Sequence, residues 1–106
     1  MERRDVVLAR VFFSDSPDAK VRPAIVLSGK EYNASGFVLL ASITTAGDEF
    51  CLPLGEADAD CAFEKGSGAR FDGIIKLPAR QILRRIGKTA HGFHLRLVEK
   101  ITAMLK

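Results

Sequence analysis

The sequence predicts a small, mainly β fold of the α+β kind, with one C-terminal amphipathic helix. Three observations carry that expectation. Short runs rich in Val, Ile, Phe and Thr recur along the chain, bounded by Gly, Pro, Asn or Asp. Apolar residues at helical spacing are clearest in one place, the C-terminal stretch. A length of 106 residues with 47% hydrophobic composition supports one core and one domain, residues 1–106. Five or so short strands followed by a helix suit a small closed barrel of the SH3-like kind.

The run from Val6 to Phe13 is β-branched and aromatic and reads as the first strand. Ser14 to Lys20 is dense in turn formers and reads as a loop. Arg22 to Ser28 is a second strand. Pro23 has no N–H to give a ladder, so it belongs at the strand's start or on an edge. It also drives Arg22 toward an extended backbone, which fixes where that side chain points. Gly29 to Gly36 is a turn-rich connection. Phe37 to Thr44 is a third strand, apolar enough to be covered on both faces for part of its length.

After a turn at Ala46-Gly47-Asp48, Glu49 to Leu54 reads as a fourth strand. Residues 55–70 are not settled; their acidic first half suits a short helix, and Lys65-Gly66-Ser67-Gly68 a loop. Phe71 to Leu77 is a further strand ended by Pro78, and Ala79 to Ile86 reads as a short basic helix or turn. In the final helix Phe93, Leu97, Val98, Ile101, Met104 and Leu105 form the apolar face, with Thr89 as the N-cap.

Composition excludes several classes. No apolar run approaches the roughly 18 residues of a membrane span. The N-terminus lacks the apolar stretch of a secretion signal, so a cytoplasmic location is expected. Cys51 and Cys61 are too far apart for a CxxC pair and too few for a zinc site, and read as reduced, small hydrophobes. There is no Gly-rich phosphate loop and no HExxH, so neither metal nor cofactor is expected. His91 and His94 read as exposed or capping residues. The net charge of +3 is modest, but its distribution is uneven. Lys76, Arg80, Arg84, Arg85 and Lys88 form a basic block, and Glu56, Asp58, Asp60 and Glu64 an acidic one. A polyanionic ligand on one side fits that pattern.

Several blocks, in order, resemble one family. They are Asp5-Val6-Val7-Leu8-Ala9-Arg10 with Phe12-Phe13-Ser14-Asp15, then Lys20-Val21-Arg22-Pro23-Ala24-Ile25-Val26-Leu27-Ser28. Val38-Leu39-Leu40-Ala41-Ser42-Ile43-Thr44-Thr45, Phe71-Asp72-Gly73-Ile74-Ile75-Lys76 and Ile86-Gly87-Lys88 follow. Together they resemble the MazF/PemK-like endoribonuclease toxins of toxin–antitoxin pairs. The resemblance implies metal-independent cleavage of single-stranded RNA, with the ribose 2′-hydroxyl attacking the adjacent phosphate. It implies Arg22 and Thr44 as the catalytic pair, and RNA contacts from Ser14, Lys20, Thr45, Lys76 and Arg80. The loops Ser14–Lys20 and Gly47–Glu49 would read bases, with Phe12, Phe13 and Phe50 near enough to stack. It further implies a homodimer and a cognate antitoxin whose acidic, disordered tail meets the Arg80–Lys88 block.

Three departures stand out. Some members carry a carboxylate where this chain has Pro78 and Ala79. The segment from Leu77 to Ile86 is short and basic and lacks the family's Thr-Ile or Thr-Leu strand. Arg4 replaces a Gly before Asp5, a change expected to matter little. Two other classes fit the same fold: a non-catalytic growth inhibitor of the related CcdB-like, gyrase-binding kind, and an SH3-like RNA-binding module.

Overall fold

A computed structural model describes residues 1–12 and 18–106. Strands β1 (Asp5–Phe12), β2 (Ala19–Val26), β3 (Phe37–Thr44), β4 (Cys51–Pro53), β5 (Gly68–Pro78) and β6 (Ile82–Lys88) form one antiparallel sheet, in the order β4-β5-β3-β2-β1-β6. A single helical turn, α1 (Lys30–Asn33), lies between β2 and β3, and α2 (His91–Met104) ends the chain. The expected mainly β fold with a C-terminal helix is what the chain forms. The barrel closes only loosely. The edge strands β4 and β6 do not pair; the segment after the 3-10 turn Glu56–Asp58 spans the gap instead. Ala59 bridges Thr89, Asp60 N–H donates to Lys88 O at 3.1 Å, and Lys88 N–H donates to Asp60 Oδ1 at 2.6 Å. Gly87 allows that approach, because a Cβ there would lie 2.6 Å from Asp60 Oδ1 and from Cys61 Sγ.

Alternation along the strands builds two cores. Val6, Ile25, Ala41, Ile43 and Phe71 pack with Phe93, Leu97 and Ile101 of α2. Val7, Ala9, Val11, Ala24, Val26, Val38, Leu40 and Leu77 fill the opposite face. Both faces of the central strands are therefore buried, as the apolar run in β3 implied.

The structure corrects several local expectations. Residues 82–88 are a sixth strand, preceded by a 3-10 turn at Ala79–Gln81, where a basic helix or turn was expected. β6 is an edge strand beside β1, and exposed Arg84 and Arg85 there discourage further edge pairing. β4 is shorter than Glu49–Leu54, because Asp48 Oδ1 accepts the Phe50 N–H at 2.9 Å and keeps residues 48–50 in a turn. The N-cap of α2 is Ala90, with no side-chain cap. Thr89 instead turns inward, is 1% exposed, and gives its N–H to Arg4 O at 2.8 Å. On α2 the buried stripe is Phe93, His94, Leu97 and Ile101, while Val98, Met104 and Leu105 are exposed. Spacing by four residues selects 93, 97 and 101; residues 98 and 105 rotate away from that line, while Met104 stays on it but is the last residue of the helix.

Arg4 has more consequence than expected. Its φ is 76°, the left-handed region that a glycine occupies without cost. An arginine there costs about 1–2 kcal/mol. Its own bonds hold it: the N–H donates to Val26 O at 2.9 Å, and Nε donates to Thr89 O at 2.9 Å. Part of the basic block is likewise absorbed by structure. Arg85 Nε donates to buried Asp5 at 3.0 Å, and Lys88 Nζ lies 2.9 Å from Glu2 and 3.6 Å from Asp5. Lys30 and then Lys88 pull the Glu2 carboxyl down to about 2.

His94 is 6% exposed, contrary to the exposed or capping role expected of it. His91 is exposed. Burial first, then the charges of Arg4, Arg3 and His91, hold the His94 imidazole below its ordinary 6.5. The folded protein thus takes up this proton less readily than the unfolded chain. The effect is nil well above pH 6.5 and grows as pH falls below it, until the folded value is passed. The urea midpoint is expected to drop between about pH 7 and pH 5 in the native chain. His94→Gln, which cannot titrate, should flatten that drop; parallel profiles for the two proteins would refute the assignment.

Candidate active site

The β2–β3 ladder pairs Val26 with Leu40, Ile25 with Ala41 and Ala24 with Ser42, and stops there. Pro23, without an N–H, sits at the point where the ladder has ended. Extending the same register outward sets Arg22 opposite Thr44, on the face that carries Ala24 and Ser42. On its other side β3 pairs with β5 from Phe37 onward, and after a register shift between Ala41 and Ile43 it sets Ile43 against Ala69 and Thr44 against Gly68. The strands part at this end, and a groove of about 820 Å³ opens between them.

Lys20 and Arg22 reach the groove from β2, and Ser42, Thr44 and Thr45 from the end of β3. Leu8 and Ile86 add apolar surface; Glu64, Ser67 and Arg70 come from β5 and the loop before it. Thr44 is half-buried, and its Oγ1 accepts the Ala46 N–H at 3.1 Å. That bond fixes the hydroxyl and leaves its O–H to donate. Arg70 is clamped between two carboxylates, 2.7 Å from Asp72 and 3.0 Å from Asp48. Asp72 and then Asp48 raise the affinity of its guanidinium for the proton further. The Phe50 N–H, followed by Arg70, holds Asp48 below its ordinary value. The clamp ties the turn after Thr45 to β5, and so steadies one wall of the groove.

Of the residues singled out in the sequence, Lys20, Arg22, Thr44 and Thr45 come together here. Lys76 and Arg80 do not. Lys76 pairs with Leu39, five residues from Thr44, which puts it roughly 17 Å away along the strand. Its Nζ lies over the Phe37 ring, 4.5 Å from the centroid. Arg80 is exposed on the 3-10 turn at that same far end. Ser14 and Phe13 lie outside the described residues. Phe50 stands edge-on to Phe71, with ring centroids 6.2 Å apart. Sequence reasoning missed Glu64, Ser67 and Arg70, all from the stretch it left unsettled. The one available signal was Arg70 two residues before Asp72. Among the described residues no group of three His, Cys, Asp or Glu is placed to hold a metal ion, and no helix is long and apolar enough to cross a membrane.

Solved structures share this fold. The Mycobacterium tuberculosis toxin MazF-mt6 is 21% identical with a TM-score of 0.76, and 96% of each chain is covered. An endoribonuclease in complex with its cognate antitoxin, from a mycobacterial species, is 14% identical with a TM-score of 0.79, covering 99% of this chain and 94% of that one. The MazE–MazF complex of Deinococcus radiodurans (form III) is 16% identical with a TM-score of 0.80, covering 99% and 95%. Among curated proteins there is no significant match. The family model for PemK-like, MazF-like toxins of type II toxin–antitoxin systems matches residues 2–105, and the chain belongs to that family.

Proposed function

We propose that this toxin is an endoribonuclease that cleaves single-stranded RNA in the groove at the open end of β2 and β3. The observation that carries the reading is that Lys20, Arg22 and Thr44 line one groove, opened where the β2–β3 ladder stops. In the reaction the ribose 2′-oxygen attacks the neighbouring phosphorus and the 5′-oxygen leaves. Arg22 grips two phosphate oxygens with parallel N–H bonds and stabilises the charge that builds there. Thr44, fixed by the Ala46 N–H, donates its hydroxyl and holds the phosphate in line. The nucleophile belongs to the substrate, so no metal-activated water is required. Thr45 and Lys20 bind the flanking backbone. Lys76 and Arg80, at the far end of β5, serve at most a distant stretch of RNA or the second protomer of a homodimer. The antitoxin complexes among the structural neighbours support a cognate antitoxin as partner; an acidic tail on it would match the charge of the Arg80–Lys88 block.

The test is incubation of the protein with a long RNA in EDTA, followed by mapping of the ends. Fragments with 5′-hydroxyl and 2′,3′-cyclic or 3′-phosphate ends are expected. No cleavage of any RNA, with the protein still toxic in cells, would replace this reading with a toxin that acts by contact alone.

A further inference from the structure

Attack by a 2′-hydroxyl requires a group that takes its proton, and the residues assigned so far supply none. Lys20, Arg22 and Arg70 are cations, and a threonine hydroxyl is a poor base. Among the described residues lining the groove one carboxylate is present, Glu64. We infer that Glu64 is the general base of the cleavage reaction, acting from the turn that precedes β5. The inference rests on the RNA-cleaving reading above.

Its placement supports this role. Glu64 O accepts both the Ser67 N–H at 3.1 Å and the Ser67 hydroxyl at 2.6 Å, so residues 64–67 form a closed turn. Ser67 is 5% exposed, and its carbonyl accepts the Leu54 N–H at 2.9 Å. The next residue, Gly68, is the strand partner of Thr44. The turn that carries Glu64 is therefore built onto the residue opposite the catalytic threonine. In the sheet order β5-β3-β2, Thr44 stands in the middle, with Arg22 on one side and the Glu64 turn on the other. Among the described residues no Lys or Arg pairs with the Glu64 carboxylate, and Arg70, which also lines the groove, is already occupied by Asp48 and Asp72. Glu64 is exposed and keeps access to water. A carboxylate in a groove for a polyanion weakens binding of the ground state, which a purely electrostatic site would avoid.

The step balances without an added reagent. The Glu64 carboxylate takes the 2′-hydroxyl proton as the 2′-oxygen forms its bond to phosphorus. The bond from phosphorus to the 5′-oxygen breaks, and that oxygen takes a proton from water in the open groove. Glu64 then returns its proton to solvent, leaving a cyclic phosphate and a 5′-hydroxyl.

The experiment compares the native protein, Glu64→Gln and Glu64→Asp in single-turnover cleavage of one RNA in EDTA across pH. Binding is measured on the same RNA carrying a 2′-deoxy sugar at the cut site. Glu64→Gln should cleave about 100-fold more slowly or worse. It should bind the RNA as tightly as the native protein or tighter, and lose the acid limb of the pH profile. Glu64→Asp should recover part of the rate and keep that limb. A Glu64→Gln protein that cleaves as fast as the native one, or faster, with the same pH profile, overturns the inference and leaves the nuclease reading intact. A native protein that cleaves nothing overturns both. Glu64 is exposed, so thermal unfolding should show all three proteins folded alike.

Discussion

Arg22→Ala is expected to lower the single-turnover rate of RNA cleavage by about 10²–10³, the usual consequence of deleting one preorganised donor to a developing charge. The side chain is exposed, so the thermal midpoint should move little. The loss should appear in the rate of the chemical step more than in affinity, because neighbouring Lys20 still attracts the RNA backbone. Arg22→Lys should restore little, since an ammonium cannot form two parallel bonds to one phosphate. Thr44→Ala should slow the same step, and the double variant should fall by less than the product of the two, as for groups acting on one phosphate. Cleavage within threefold of native by Arg22→Ala, on the same RNA and in EDTA, would remove Arg22 from the reaction. The groove would then bind RNA without Arg22 acting on it.

Much of this site was legible in the sequence because it depends on local rules. Pro23 cannot give a ladder bond, and the pairing with β3 does stop beside it, although β2 runs on through Arg22 to Ala19 against β1. Alternation in β3 puts Ser42 and Thr44 on one face before any pairing is known. What could not be read depends on partners distant in the chain. Lys76 looked like a groove residue by its charge, yet the pairing with Leu39 carries it to the other end of the sheet. Ala79 to Ile86 read as a short basic helix or turn, and only the neighbouring β1 makes residues 82–88 a strand. Glu64 read only as the end of an acidic block; its place beside the groove comes from Gly68 meeting Thr44 across β3 and β5. Arg4 is the reverse case, a one-residue departure whose weight shows only in a backbone angle.

Phe93→Ala is expected to destabilise the fold by about 3–5 kcal/mol, the cost of truncating a fully buried aromatic without collapse of the cavity. Phe93 is 1% exposed and joins α2 to the cluster of Val6, Ile25, Ile43 and Phe71. For a domain of this size the thermal midpoint should fall by roughly 15–25 °C. A shift corresponding to less than about 1 kcal/mol would mean that the helix is not seated on the sheet as described. The effect on cleavage should run opposite to that of Arg22→Ala. Arg22, Ser42 and Thr44 lie on the face shared with Ala24, whose packing comes from Val7, Val26 and Leu40 rather than from the helix. At low temperature, where the variant remains folded, each folded molecule should therefore cleave at close to the native rate. One substitution should give a stable protein that scarcely reacts, and the other an unstable protein that still does. That separation is expected when Arg22 and Thr44 lie on the face away from the helix, even though Ile43, Phe63 and Ile86 of the groove wall pack with the helix-side cluster.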